Sequence, residues 1–220
     1  LEKALDYTRN LASKGQVILF VGTKRQAREA IKAAALSCEM PYLVERWIGG
    51  LLTNFEEVKR RLKKYKNLKE QFASGEIEKY TKKEQVVMKK QLEKLDKYLI
   101  GLTALERLPD AVYIADMRTE KTALAETERT EVPTVAVCDT NTNPEKVNFP
   151  IPGNDDAVNS IKMIADLMAE AVNEGKKIFE KNKLEKAKEE PAVKQKATQE
   201  KEEAPATPPA RRALKKDTSI

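Results

Sequence analysis

Basic side chains are concentrated in one stretch of the chain, where they could bind a polyanion. Residues 54–105 contain 14 Lys and Arg but only 8 Asp and Glu. The basic residues that we assign to the outer faces of helices in this stretch are Lys59, Arg60, Arg61, Lys63, Lys64, Lys82, Lys83, Lys89 and Lys90. Such residues neutralise phosphates along a nucleic acid or bind an acidic partner. They are equally consistent with a solvated helix face.

A second group of polar residues lies close behind the apolar runs that are typical of strands. These residues are Thr23, Lys24, Asp116, Asp139 and Asn141. Because ligands of parallel sheets bind beyond the carboxyl ends of the strands, we expect these side chains to share one edge. Two carboxylates there can hold a metal ion, or they can cap helices and close turns. Lys24 and Arg25 either contact phosphate or are solvated residues of an ordinary turn, since the turn at Gly22 matches neither glycine-rich phosphate motif.

Composition excludes several kinds of catalytic and metal site. The chain contains no His, and its two cysteines, Cys38 and Cys138, lie far apart in the sequence. A Ser-His-Asp or Cys-His device is therefore impossible, and a zinc site is not expected. We interpret both cysteines as small buried residues in a reducing compartment. No apolar run approaches the ~20 residues that span a bilayer, and no secretory signal is visible.

Outside the basic stretch, largely apolar runs alternate with helical patterns. Residues 16–21, 111–115 and 132–138 form such runs, and residues 41–45 form a shorter one. Continuous apolar runs are typical of strands buried on both faces of a parallel sheet. The alternation predicts an α/β fold, with a parallel sheet and helices on both faces. We assign the short apolar piece at residues 147–152 to no element.

The basic stretch itself predicts two helices, at residues 54–73 and 81–102. Apolar residues recur in both at spacings of three and four, and Ser74-Gly75 separates them. Two such seams joined by a short loop predict an antiparallel coiled-coil hairpin. The predicted capping boxes at the two helix starts are Asn54 with Glu57 and Thr81 with Glu84.

Residues 46–54 join this insert to the rest of the fold. Gly49 and Gly50 permit backbone conformations that are closed to other residues. Trp47 is the only tryptophan in the chain. It is either a hydrophobic plug at the root of the insert or a residue that stacks on a base or contacts a protein.

These patterns divide the chain into a body of residues 1–53 and 106–182, an inserted hairpin of residues 54–105, and a tail of residues 183–220. The formal net charge of +6 is unevenly placed, with +6 on the insert, +4 on residues 181–220 and −4 on the remainder. Basic arms on a mildly acidic body indicate a polyanionic partner. The tail is rich in Glu, Lys, Ala and Pro, a composition that predicts disorder.

Three stretches resemble the S-two family of small-subunit ribosomal proteins, in its bacterial or organellar form. They are ILFVGTKR at 18–25, RWIGGLLTNF at 46–55, and DTN at 139–141 continuing to IPGNDDA at 151–157. The resemblance implies a flavodoxin-like sheet with a protruding hairpin, and binding to small-subunit ribosomal RNA and neighbouring ribosomal proteins. It also implies no catalysis, cofactor, metal ion or small-molecule substrate, and a location on ribosomes in the cytoplasm or in an organelle.

On this hypothesis the RNA-binding residues are Lys24, Arg25, Arg46 and Trp47, together with the nine basic residues of the insert. Arg46 and Trp47 either fix the insert or meet RNA. Two departures from the family pattern stand out. Family members usually begin with a further segment that holds histidine and aromatic residues, and this chain starts after it. Glu131 stands where the family commonly has glycine, at the predicted end of a helix.

Two other hypotheses remain open from the sequence. One is a nucleotide- or metal-dependent enzyme that uses Thr23, Asp116 and Asp139. The other is an adaptor that binds only proteins and uses the hairpin as a docking arm.

Overall fold

A computed structural model of the chain describes the backbone of residues 1–202 and the side chains of residues 1–183. Five strands form one sheet in the order β2-β1-β3-β4-β5, and every neighbouring pair is parallel. The strands are β1 (Ile18–Val21), β2 (Tyr42–Leu43), β3 (Ala111–Ile114), β4 (Thr134–Cys138) and β5 (Phe149–Pro152). This is a doubly wound order of the flavodoxin type, with its reversal point between β1 and β3. The predicted α/β fold with a parallel sheet is confirmed.

Strand β5 corrects the sequence analysis, which assigned residues 147–152 to no element. Phe149–Pro152 pairs with β4 and forms one edge of the sheet. Pro150 and Pro152 argue against a strand in the sequence, because proline has no backbone N–H to donate to the hydrogen bonds between strands. An edge strand tolerates this loss, since one of its two sides has no partner strand.

Two hydrophobic cores lie on opposite faces of the sheet. Helices α1 (Glu2–Ser13) and α2 (Arg28–Ser37) cover one face, together with residues 161–172 of α6 (Val158–Glu202). On the other face lie α3 (Phe55–Ala73) and α4 (Lys82–Leu99). The strands serve both cores because successive side chains point to opposite faces. Thus Phe20 enters the first core, whereas Leu19 and Val21 enter the second.

The insert contains the two predicted helices, α3 and α4, with a 3₁₀ turn between them at Glu76–Lys79. Along α3 the buried residues are Phe55, Val58, Leu62, Tyr65 and Leu68. The facing Leu92 and Leu95 of α4 are only half buried, and the Tyr65 hydroxyl donates to the Asp96 carboxylate across the pair. The coiled-coil character of this pair remains a prediction.

The two predicted capping boxes have different outcomes. Thr81 and Glu84 form both hydrogen bonds of a capping box at the start of α4. The Asn54 side chain makes no capping hydrogen bond at the start of α3, so that prediction is wrong. The Glu57 carboxylate forms ion pairs with Arg60 and Arg61 instead of turning back to the helix start.

Helix α6 (Val158–Glu202) extends beyond the predicted start of the tail. The chain divides into two units, residues 1–179 and residues 180–220, and α6 contributes to both. The predicted disorder is not confirmed over residues 183–202, and residues 203–220 lie outside the described part of the chain. Within the described residues, no helix is both long enough and apolar enough to cross a membrane.

Glu131 ends helix α5 (Lys121–Thr130) in the left-handed conformation, with φ of 55°. A side chain is disfavoured there because its Cβ lies close to the following carbonyl oxygen. We expect Glu131→Gly to raise the free energy of unfolding by about 1 kcal/mol, measured by urea denaturation. Glu128→Gly, inside the same helix, should lower it by a similar amount. A lower urea midpoint for Glu131→Gly would contradict this explanation of the family's glycine.

Candidate nucleic-acid interface

The nine predicted basic residues of the insert are all exposed. Five lie on α3 and four on α4, because the apolar seam of each helix directs its remaining positions to solvent. Of these nine residues, only Arg60 and Arg61 form ion pairs with a described side chain, both with Glu57, at 3.4 and 3.5 Å. The remaining seven lysines can therefore bind an external anion without first breaking an ion pair within the described residues.

Three of these basic residues line a groove on one face of the insert. The groove has a volume of about 500 Å³ and runs between α3 and α4. Arg60, Lys63 and Lys64 line it from α3, and Met88 and Gln91 line it from α4. Residues three and four apart share a helix face, so one helix presents all three cations to the same side. A polyanion lying along this face would meet them together.

A buried carboxylate, that of Glu126 on α5, binds the junction to the body through several hydrogen bonds. One of its oxygens accepts hydrogen bonds from the Trp47 indole Nε1 at 3.0 Å and the Gly50 amide at 2.8 Å. The other accepts from the amides of Leu52 at 3.0 Å and Thr53 at 3.4 Å. The Thr53 hydroxyl adds a contact at 3.4 Å. Trp47 is 7% exposed, and this geometry supports a structural plug at the root of the insert.

Glu126 is a stable anion despite its burial. Burial by itself would raise the pKa of this carboxyl, but the donors from Trp47, Gly50, Leu52 and Thr53 hold it below its usual value. Carboxylates that accept several backbone amides behave in this way because those bonds favour the charged form. The charge of Glu126 is thus what orients the junction loop.

Lys24, Asp116 and Asp139, three of the residues predicted to share the sheet edge, lie around one acidic cluster, and Lys24 faces inward. Its ammonium lies 2.7 Å from Asp156, 2.9 Å from Asp155 and 3.3 Å from Asp116. Burial would lower the pKa of Lys24, but the three carboxylates raise it above its ordinary value. The Oδ2 atom of Asp155 is buried without a hydrogen-bond partner among the described residues. Lys24 therefore neutralises an acidic cluster of the protein itself.

Asp116 and its neighbour Glu120 close turns at this edge. Asp116 accepts hydrogen bonds from the Arg118 amide at 2.7 Å and the Thr119 hydroxyl at 2.6 Å. Burial would raise the pKa of Asp116, but these bonds and the Lys24 charge lower it. Glu120 accepts the Thr23 amide at 2.9 Å, and burial raises the pKa of Glu120. Of the two alternatives for Asp116, metal binding and turn closure, these hydrogen bonds support turn closure.

Oxygen donors for a metal ion come from a different set than the predicted pair of Asp116 and Asp139. Asp139, Asp155 and Asp156 each place one carboxylate oxygen within 4.8 Å of the others. Oxygens at this spacing could ligate a hard cation such as Mg²⁺. The Lys24 ammonium already lies against Asp155 and Asp156.

Arg25 and Arg46, the other two predicted contacts outside the insert, are exposed. Neither forms an ion pair with a described side chain, so both can approach an external anion. Arg46 adjoins the buried Trp47 at the root of the insert, and Arg25 adjoins the enclosed Lys24. At both places an exposed arginine thus follows or precedes a residue whose side chain is engaged within the protein.

Sequence reasoning missed Glu126, the contacts of Lys24 with Asp155 and Asp156, and three basic residues near α5. Glu126 accepts bonds from residues 73 to 79 positions away, so no local pattern reveals it. The sequence showed Asp155 and Asp156 before the last long helix and within the stretch at 151–157, but not as partners of Lys24. Arg118, Lys121 and Lys146 surround a groove and are scattered singly in the sequence.

Comparison with known proteins gives consistent results over most of the chain. A family described as ribosomal protein S2 matches residues 1–175. The small ribosomal subunit protein uS2 of Wolinella succinogenes is 44% identical over 183 residues, covering 80% of this chain and 68% of the relative. Its counterpart from Endomicrobium trichonymphae is 44% identical over 189 residues, covering 86% and 78%. That of Coprothermobacter proteolyticus is 45% identical over 176 residues, covering 80% and 66%.

Proposed function

The chain belongs to the ribosomal protein S2 family, and we propose that it binds small-subunit ribosomal RNA and neighbouring ribosomal proteins. Its family relatives are named as small ribosomal subunit proteins. Membership makes it a structural component of the small ribosomal subunit rather than an enzyme. We place its site of action on ribosomes of the cytoplasm or of an organelle.

The observation that carries the proposal is the row of exposed cations on α3 and α4. Nine basic side chains are exposed there, and most have no ion pair with a described side chain. Lys and Arg on exposed helices bind phosphates and fix the position of a protein on RNA without reading bases. RNA phosphates spaced along a helix match such a row better than a small anion does.

Residues outside the insert divide by exposure. Arg25 and Arg46 are free to contact phosphate beside the insert. Lys24 and Trp47 are engaged within the protein, and we assign them to holding the sheet edge and the junction in place. Their role in RNA binding is thus indirect, through the position of Arg25 and Arg46.

Exposed apolar residues at the loop end of α3 and α4 support contact with neighbouring proteins. Tyr80, Val86 and Val87 are 43%, 54% and 59% exposed. Aromatic and aliphatic side chains grouped on a polar surface favour a protein interface. The insert would then carry RNA contacts along its length and a protein contact at its end.

Replacing Lys59, Arg60 and Arg61 together with Ala tests the RNA contact. We expect weaker binding to small-subunit ribosomal RNA and a salt slope reduced by about 3, one for each lost phosphate contact. Filter binding over a range of salt concentrations measures both quantities. A matched control replaces Lys3, Lys32 and Lys162 with Ala, since these exposed residues lie on helices of the opposite sheet face.

Sedimentation of a lysate with and without ribonuclease tests the assignment as a whole. The wild-type protein should migrate with the small subunit and lose that position on digestion. The insert variant should dissociate at lower salt than the control. An unchanged salt slope for the insert variant would remove α3 from the interface, and partners that survive digestion would favour the protein-only adaptor.

A further inference from the structure

A second groove lies at the carboxyl edge of the sheet. Its volume is about 720 Å³, and it lies between α5 and the loop that follows β4. We propose that this groove binds one nucleotide unit, with its phosphate on Arg118, Lys121 and Lys146 and its base on Met117 and Leu124. The proposal rests on the proposed function, in which the nucleotide belongs to a single-stranded segment of RNA.

The groove lies at the carboxyl edge of the sheet, beside β3 and β4 and not at the reversal point between β1 and β3. Met117 and Arg118 follow the end of β3, and Asn141 and Thr142 follow the end of β4. Crevices of doubly wound sheets lie beyond these carboxyl ends. The loops that form the groove are therefore positioned by two central strands of the sheet.

The charge around the groove favours an anion. Arg118, Lys121 and Lys146 are exposed, and none forms an ion pair with a described side chain. Glu128 is the single acidic residue in the lining. The ten-residue helix α5 begins at Lys121, and the unpaired amides at a helix start add partial positive charge to the same place.

The floor of the groove is apolar and suits a base rather than a bare phosphate. Met117 is 4% exposed and Leu124 is half buried, and both belong to or pack against the second core. Pockets of 300 to 1,000 Å³, roughly, with apolar walls and a few polar groups are typical of small-ligand sites. The exposed side-chain amide of Asn141 and the carboxylate of Glu128 can form hydrogen bonds with the base edge and with the 2′-hydroxyl of the ribose.

Two variants separate a shaped site from general electrostatic attraction. One replaces Arg118, Lys121 and Lys146 with Ala and removes the charge. The other, Ala125→Trp, fills the groove from an exposed position of α5 and leaves every cation in place. The control replaces Lys3, Lys32 and Lys162 with Ala, and it therefore has the same net charge as the variant that lacks Arg118, Lys121 and Lys146.

The probe is a short fluorescent oligouridylate, followed by anisotropy, with full-length protein. We expect both groove variants to bind about tenfold more weakly at low salt. In the variant that lacks Arg118, Lys121 and Lys146, the slope of log affinity against log salt concentration should also become smaller by about 2. The control triple should stay within a factor of two or so of the wild type. Circular dichroism confirms that each variant is folded before binding is measured.

Amide NMR shifts on titration with the oligonucleotide and with uridine monophosphate identify the source of the nucleotide. Shifts at Ala125 and Thr142 with the oligonucleotide alone support an RNA strand. Shifts with both support a site that also accepts free nucleotide. Absence of shifts at these residues, or wild-type binding by Ala125→Trp, would overturn the groove proposal. Loss of sedimentation with the small subunit while the groove still binds would instead overturn the proposed function.

Discussion

Glu126→Gln should lower the free energy of unfolding by about 3 kcal/mol at neutral pH, since bonds to a buried charge are each worth about 1.5–3 kcal/mol. The wild-type carboxylate has only acceptors, and it faces only donors from Trp47, Gly50, Leu52 and Thr53. A glutamine must turn its own N–H groups toward one pair of these donors. At least one buried donor then lacks a partner, and its desolvation is not compensated.

The pH dependence of this effect has a definite sign. The folded pKa of Glu126 lies below its usual 4.5. A carboxyl with a depressed folded pKa contributes stability that is fully present above the unfolded value and is lost as the pH falls through the folded pKa. The stability difference between wild type and Glu126→Gln should therefore be constant above about pH 5 and shrink below about pH 4.

Urea denaturation across this pH range measures the difference, and Glu128→Gln provides the control. Glu128 lies on the same helix but is exposed, so its change should stay within about 0.5 kcal/mol. Hydrogen exchange at the Gly50 and Leu52 amides should become faster in Glu126→Gln alone. Equal stability of the two variants at pH 7 would show that the junction is held by Trp47 packing and not by the carboxylate.

The sheet was largely predictable from the sequence, because a strand that is buried on both faces is a continuous run of apolar residues. The runs at 16–21, 111–115 and 132–138 contain β1, β3 and β4. Strand β5 was not predictable, since Pro150 and Pro152 carry the signal of a loop. The family was predictable from three stretches, and the match over residues 1–175 confirms it.

The site was only partly predictable, for a physical reason. Exposure of the insert lysines follows from helix periodicity, which is local. The roles of Lys24 and Trp47 depend on Asp155 and Glu126, which lie 131 and 79 positions away. A sequence shows that a lysine follows a strand, but it does not show whether the fold brings carboxylates to meet it.

The contacts of Lys24 with distant carboxylates stabilise the folded protein at the sheet edge. Asp116 and Asp155 have side chains that are only 3% exposed, and Lys24 is 17% exposed. Each carboxylate lost much of its hydration on folding, and the ammonium offsets that loss. The effect of Asp156 should be smaller, because its side chain is 71% exposed and screened by solvent.

Lys24→Met should therefore lower the free energy of unfolding by about 3 kcal/mol at pH 7, the cost of leaving buried charge uncompensated. Met retains the length and apolar stem of Lys, so loss of packing contributes little. Thermal or urea denaturation measures the effect, with Lys32→Met on the exposed face of α2 as the matched control. The double variant with Asp155→Asn should recover part of the loss, because it removes the carboxylate whose Oδ2 has no partner.

The deficit of Lys24→Met should also narrow at acid pH, as that of Glu126→Gln does, but because the variant gains stability and not because the wild type loses it. Burial, together with the Asp116 charge, already holds the folded pKa of Asp155 above the ordinary 3.8, and without the opposing Lys24 ammonium this pKa should rise further. An acid with a raised folded pKa binds its proton more tightly when folded, so the variant gains stability as the pH falls through that value. The deficit of Lys24→Met should thus be largest near neutral pH and narrow toward pH 4, roughly. A deficit independent of pH would mean that Lys24 acts through packing, and no deficit would mean that solvent already screens the cluster.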